Sequence, residues 1–264
     1  MRANWKIMVS AMLMLLAVAA VHGQVSVVGS MTQVAQARPG LQYSGTIRVR
    51  NDGERAQTVR LLQTDYQFHA DGRVLYDEPG SLPRSNASWI ALPATTMRVL
   101  PGQEVPITYT VRVPDSSELH GTYWSVVIIE SELAGTDTSD EGTLGVRHLM
   151  RFAVQVVSEF PGGTAELATL SASLERRDTG VELYIAIANT GTRMLRPEVI
   201  LELYARDGGL HGPFQAAAQR LYPGSSATFA VGLDGVGDGD YRAVAILDAG
   251  GDDIFAAQYN LEIR

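Results

Sequence analysis

Cysteine is absent from the 264 residues, and lysine occurs once, as Lys6. The first absence removes disulfides, thiol catalysis, thiolate zinc sites and iron–sulfur clusters, so stability must come from packed cores. The second leaves the residues beyond the first 23 without a lysine for Schiff-base chemistry or a phosphate loop. Positive charge is short overall. The formal charge is −8, and the first 23 residues hold Arg2 and Lys6 but no acid, so the remainder stands at −10. A nucleic-acid partner is therefore not expected, because neutralising phosphates takes a cationic surface. Long apolar runs are missing as well. The longest, Ile7 to Ala20, is 14 residues, whereas a membrane-crossing helix needs about 20.

Catalytic and cofactor patterns are missing too. Beyond residue 23 the histidines are His69, His120, His148 and His211, none within four positions of another. That spacing excludes a His-x-x-x-His metal pair on one helix face. There is no Gly-x-Ser-x-Gly, no phosphate loop and no dinucleotide fingerprint. Asp234 to Asp240 is an acidic, glycine-rich stretch with oxygen ligands that calcium would accept, but it lacks the downstream bidentate glutamate of an EF-hand. It reads as an acidic turn. A non-enzymatic protein without a cofactor is expected. Asn86-Ala87-Ser88 matches the glycosylation acceptor pattern, a match short enough to arise by chance.

What is present begins with an export signal. Arg2 and Lys6 precede the apolar run, and Val21-His22-Gly23 puts small or apolar residues at −3 and −1. Residues 1–23 are expected to be a signal peptide cleaved before Gln24, giving a periplasmic or secreted product with no membrane span. Thereafter apolar residues alternate with period two, as in Tyr43, Ile47 and Val49, in Val105 through Val113, in Val181 through Ile187, and in Ala227 through Leu233. Such alternation marks half-buried strands, and no long helical stripe accompanies it.

The turn residues repeat in a fixed order. Ile47 to Arg55 carries a strand into Asn51-Asp52-Gly53, followed by Asp71-Gly72, Leu100-Pro101-Gly102, an alternating strand and Gly121-Thr122-Tyr123. Ile185 to Arg193 carries a strand into Asn189-Thr190-Gly191, followed by Asp207-Gly208, Tyr222-Pro223-Gly224, an alternating strand and Gly239-Asp240-Tyr241. Asn51 to Gly121 spans 70 positions against 50 for Asn189 to Gly239, so the first copy should hold about one extra strand. The expected fold is all-β, two tandem immunoglobulin-like sandwiches at 24–160 and 161–264. Gly-x-Tyr before the penultimate strand is similar to the tyrosine corner of such sandwiches.

An acidic loop is expected at 132–143, followed by a long last strand at 144–158. There Leu144, Val146, Met150, Phe152, Val154 and Val156 share one side, interrupted by His148, while Arg147 and Arg151 lie on the other. At ~3.3 Å per residue this strand approaches 50 Å, more than one domain readily pairs. It contains either the last core strand and a connector, or an exposed edge that pairs with a partner strand.

Several features together resemble the two-domain periplasmic chaperones of pilus assembly: the export signal, Asn51-Asp52-Gly53, Trp89 followed by Pro101-Gly102 and a strand ending at Pro114, Gly121-Thr122-Tyr123, and the long loop before an alternating strand. The resemblance implies a chaperone-like factor in assembly of a bacterial surface structure, with a fimbrial or surface subunit as its protein partner. By that resemblance Val146, His148, Met150, Phe152, Val154 and Val156 give side chains to the subunit by strand addition. The family's cleft lysine has no counterpart here, leaving Arg147 or Arg151 to anchor a carboxylate. A different expectation is a structural or adhesive envelope module binding glycan or matrix protein through its loops. The chain is also similar to secreted Gram-positive proteins that bind wall-associated partners, without their C-terminal membrane anchor.

Overall fold

The computed structural model describes residues 25–132, 149–178 and 180–264. Residues 1–23, expected as the signal peptide, lie outside that set. The chain is all-β and forms two tandem sandwiches, with no strand pairing between them among the described residues. In the first, β1 (Val25–Val28), β3 (Gln42–Asn51), β8 (Glu104–Arg112) and β6 (Ile90–Ala91) make one sheet in the order β1-β3-β8-β6. The facing sheet runs β2 (Thr32–Gln36), β10 (Leu149–Phe160), β9 (Gly121–Glu132), β4 (Gln57–Phe68) and β5 (Val74–Asp77), with β7 (Thr96–Val99) also on β4. In the second sandwich, β11 (Leu167–Arg177), β12 (Gly180–Asn189) and β15 (Ser226–Gly232) face a sheet of β14 (Leu210–Ala216), β13 (Glu198–Ala205), β16 (Gly239–Asp248) and β17 (Ile254–Ile263).

The period-two pattern explains both cores. Ile47, Val49, Ile107, Tyr109 and Val111 point inward from one sheet of the first sandwich and meet Leu61, Val127, Ile129, Val154 and Val156 from the other. Between them, Ser44, Thr46, Arg48, Thr108 and Arg112 face solvent. Leu183, Ile185, Ile187, Phe229 and Val231 meet Leu201, Leu203, Ala243, Ala245 and Leu247 in the second sandwich. Each core is built from two sheets that are apolar on their inner faces.

The repeat is structural down to single hydrogen bonds. The Asn51 amide nitrogen donates to the carbonyls of Arg55 and Val99 at 2.7 and 3.0 Å, and its Oδ1 accepts from the Gly53 N–H at 3.0 Å. Asn189 donates to Arg193 and Leu221 at 2.7 and 2.9 Å and accepts from Gly191 at 3.0 Å. Both asparagines are fully buried, and each uses its amide to close a turn and tie it to a second loop. The copies differ between these landmarks. The first carries two extra short strands, β6 and β7, rather than the one that its length implied. Among the described residues the tyrosine corner forms once. The Tyr241 hydroxyl donates to the Gly237 carbonyl at 3.0 Å, whereas the Tyr123 ring packs between Trp89 and Phe160 with the Arg84 guanidinium above it.

Two boundaries are corrected. Glu132 closes β9 instead of opening a loop, and the last strand of the first sandwich runs to Phe160 rather than 158, in antiparallel register with β9 from Leu149 to Phe160. Residues 133–148, with the rest of the expected acidic loop and the start of the strand, lie outside the described residues.

Candidate functional site

Strand β10 has a partner on one side along its whole length and on the other only in part. β9 pairs with Leu149–Phe160, while β2 lies parallel against Gln155–Glu159. The Gln155 N–H donates to the Met31 carbonyl at 2.8 Å, which fixes the direction of its neighbours. By alternation the N–H groups of Leu149, Arg151 and Ala153 point to that same side. Among the described residues no strand meets them there, so Leu149–Val154 is an open edge the length of an ordinary strand.

The expected partner-binding residues divide along this strand. Met150 and Phe152 are half-buried at the open end, with Phe152 against the rim of the first core. Val154 and Val156 are fully buried within that core beside Val127 and Ile129, so they stabilise their own sandwich and are not available to a partner. Two apolar side chains with no solvent access cannot be given up without opening the core. Leu149, on the outward face, is 47% exposed. Val146, Arg147 and His148 lie outside the described residues.

Arg151 is already engaged. Its Nε donates to Glu130 Oε2 at 2.8 Å, and Arg60 Nη1 stands 3.6 Å from Glu130 Oε1. Glu130 is nearly buried while both guanidinium groups are mostly exposed. The carboxylate is thus held on the outer face of the sheet by two cations, without which its burial would be costly.

The cleft between the sandwiches is closed by an aromatic pair. Trp124 stacks on Tyr222 with centroids 4.9 Å apart and planes 12° from parallel, and Val157 completes the cluster. Trp124 is 3% exposed and Tyr222 1%. Burial pushes the Tyr222 phenol well above its ordinary pKa, so it stays a neutral donor, bonded to Gln155 Oε1 at 2.7 Å. The same oxygen accepts from Thr32 Oγ1 at 2.9 Å, and Arg220 Nη1 donates to that threonine oxygen at 2.9 Å. Further links are backbone-centred. The Thr122 N–H reaches the Thr192 carbonyl at 2.8 Å, Gln67 Nε2 reaches the Gly224 carbonyl at 3.1 Å, and Ser226 Oγ accepts from the Ala70 N–H at 2.9 Å.

Arg220, Thr32, Gln155 and Tyr222 were not singled out in the sequence. One signal lay in the repeat: Leu100 precedes Pro-Gly in the first copy and Tyr222 in the second, and Leu100 is 52% exposed whereas Tyr222 is buried. Asn86 is fully buried, donating to the Val156 carbonyl and to Ser158 Oγ, which removes the glycosylation match from the surface. Among the described residues, no three His, Asp or Glu side chains group as a metal site, and no helix is long and apolar enough to cross a membrane.

No family model matches the chain, and no curated protein matches it in sequence. Solved structures do align with it. A chaperone–tip adhesin complex of CFA/I fimbriae biogenesis aligns over 89% of this chain and 97% of its own at 11% identity, with a TM-score of 0.48. The chaperone–tip adhesion subunit complex of the archaic Csu pili of Acinetobacter baumannii aligns over 88% and 97% at 13% identity, TM-score 0.44. The SafA pilin–SafB chaperone complex of Salmonella enterica aligns over 90% and 96% at 14% identity, TM-score 0.40. The chain is therefore similar in architecture to pilus-assembly chaperones. The likeness is one of fold alone.

Proposed function

We propose that this chain is an exported, non-enzymatic binding protein that serves as a chaperone-like factor in assembly of a bacterial surface structure, holding an extended segment of a subunit on the open edge of β10. The observation that carries this reading is the unpaired run Leu149–Val154, directly in line with β2. A segment laid there extends the sheet, its backbone meets the N–H groups of Leu149, Arg151 and Ala153, and its inward side chains pack beside Met150 and Phe152. If the segment runs parallel to β10, as β2 does, its C-terminal end arrives at Thr32, where Arg220 stands ready for a carboxylate. The anchor role expected of Arg147 or Arg151 passes to Arg220 in this reading. The N-terminal apolar run supports delivery to the periplasm or beyond.

Ala153→Pro tests the edge directly. It removes one outward-facing N–H and leaves the β9 ladder intact, a position where proline is tolerated. Affinity capture from the native envelope, read by mass spectrometry, should recover a surface subunit with the parent protein and at least tenfold less with Ala153→Pro, at an unchanged melting temperature. Phe152→Glu, which sets a charge in the apolar rim, should give the same loss. Undiminished capture by a folded Ala153→Pro protein would move the binding surface to the loops and favour an adhesive module.

A further inference from the structure

On the reading of β10 as an acceptor edge, we propose that the captured segment carries carboxylate side chains on its outward face, where they meet Arg151. The outward side chains of the open edge are Leu149, Arg151 and Ala153, an apolar, a cationic and a small residue. An incoming strand places its outward side chains about 5 Å from these, so the one beside Arg151 experiences a guanidinium as its nearest neighbour. Arg151 uses only Nε for Glu130. Among the described residues its terminal nitrogens meet no acceptor, and a guanidinium has donors enough for a second carboxylate. Arg60, on the far side of Glu130, supplies the second cation, so Glu130 retains a partner when Arg151 turns part of its fork outward.

The partner's sequence pattern follows. Residues facing Met150 and Phe152 are apolar, and those between them include Glu or Asp beside Arg151. A lysine in that place would sit against a like charge with no acid left to share, because Glu130 is already buried between two arginines.

The test uses two fluorescein-labelled ten-residue peptides that alternate valine with glutamate or valine with lysine, so that any register with valine inward puts the same sign beside Arg151. Fluorescence anisotropy with the full chain should show the glutamate peptide binding roughly fivefold more tightly, the effect of a favourable cross-strand charge pair. This preference runs against the overall charge of −8, so general electrostatic attraction would produce the reverse order. The double variant Glu130→Gln with Arg151→Gln removes the pair together and leaves no buried charge alone. It should bind both peptides and lose the preference for glutamate, with melting recorded alongside. Equal binding of both peptides, tighter binding of the lysine peptide, or a glutamate preference that survives in the double variant overturns the carboxylate assignment and leaves strand addition standing. Failure of both peptides to bind overturns both.

Discussion

Strands β10 and β17 occupy equivalent places in the two copies of the repeat, each the antiparallel neighbour of the strand that opens at the Gly-x-Tyr, yet they meet different surroundings. β17 presents Ile254, Ala256, Gln258, Asn260 and Glu262 outward, all exposed, and Leu261 and Ile263 inward. β10 has β2 beside its second half and hides outward-facing Val157 under the Trp124–Tyr222 stack. The asparagine corners are alike bond for bond, so the frame is shared. What differs is where the second sandwich touches the first: at the turn around Tyr222 and at the elbow between Thr122 and Thr192. The last strand of the first sandwich is thus partly covered by the second, whereas β17 of the second keeps an exposed outward face.

Separating the two halves near Pro161 breaks this comparison most severely. Both fragments are expected to fold, since each has its own core. Fragment 24–160 should lose about 4 kcal/mol from exposure of Trp124 and Val157, and fragment 161–264 about 2 kcal/mol from exposure of Tyr222. Denaturant midpoints measure both losses, and a red shift of tryptophan emission marks the first. An unshifted spectrum with unchanged midpoints would show that the stack contributes nothing.

Next in size are the paired asparagines. Asn51→Ala and Asn189→Ala each remove three side-chain bonds at a fully buried site and leave carbonyls without donors. Each should cost about 3 kcal/mol, equal within about 1. A large inequality would mean that the repeat is geometric but not energetic.

The corner glycines should diverge. Gly121 has φ +68°, and a Cβ there would lie 2.1 Å from the Thr192 carbonyl oxygen, inside the elbow; Gly239 has no such strain, and its Cβ would meet only the Tyr241 ring at 3.3 Å. Gly121→Ala should cost about 2 kcal/mol or more and Gly239→Ala about 1 or less, by thermal or denaturant unfolding.

Much of this frame was legible from the sequence because each piece rests on local chemistry. Alternation in Ile47–Val49 and Val105–Val113 reports a half-buried pleat, and Asn-x-Gly with Pro-Gly reports turns. The site was only partly legible for a physical reason. Phe152, Val154 and Val156 alternate alike, and alternation cannot distinguish a side chain packed in its own core from one offered at an edge. What separates them is the facing sheet: Val154 and Val156 sit in the core with Val49 and Ile107, residues distant in sequence, whereas Phe152 is only partly buried against it. Arg220 was hidden likewise, since its partner Thr32 lies 188 positions distant.

The smallest effect separates the two corner tyrosines. The sequence treats Tyr123 and Tyr241 as equivalent, but only Tyr241 has a hydroxyl bonded to upstream backbone, at Gly237. Tyr241 is nearly buried, and removing its hydroxyl leaves that carbonyl without its donor, so Tyr241→Phe should cost about 1 kcal/mol. The Tyr123 hydroxyl has no partner among the described residues, and its ring contacts with Trp89, Phe160 and Arg84 depend on the aromatic face. Tyr123→Phe retains that face, so stability should stay within about 0.5 kcal/mol. Chemical denaturation of the two variants side by side resolves a difference of this size if the slopes agree. Equal losses would restore a corner bond at Tyr123 and make the two sandwiches alike at the one turn where their geometry now parts.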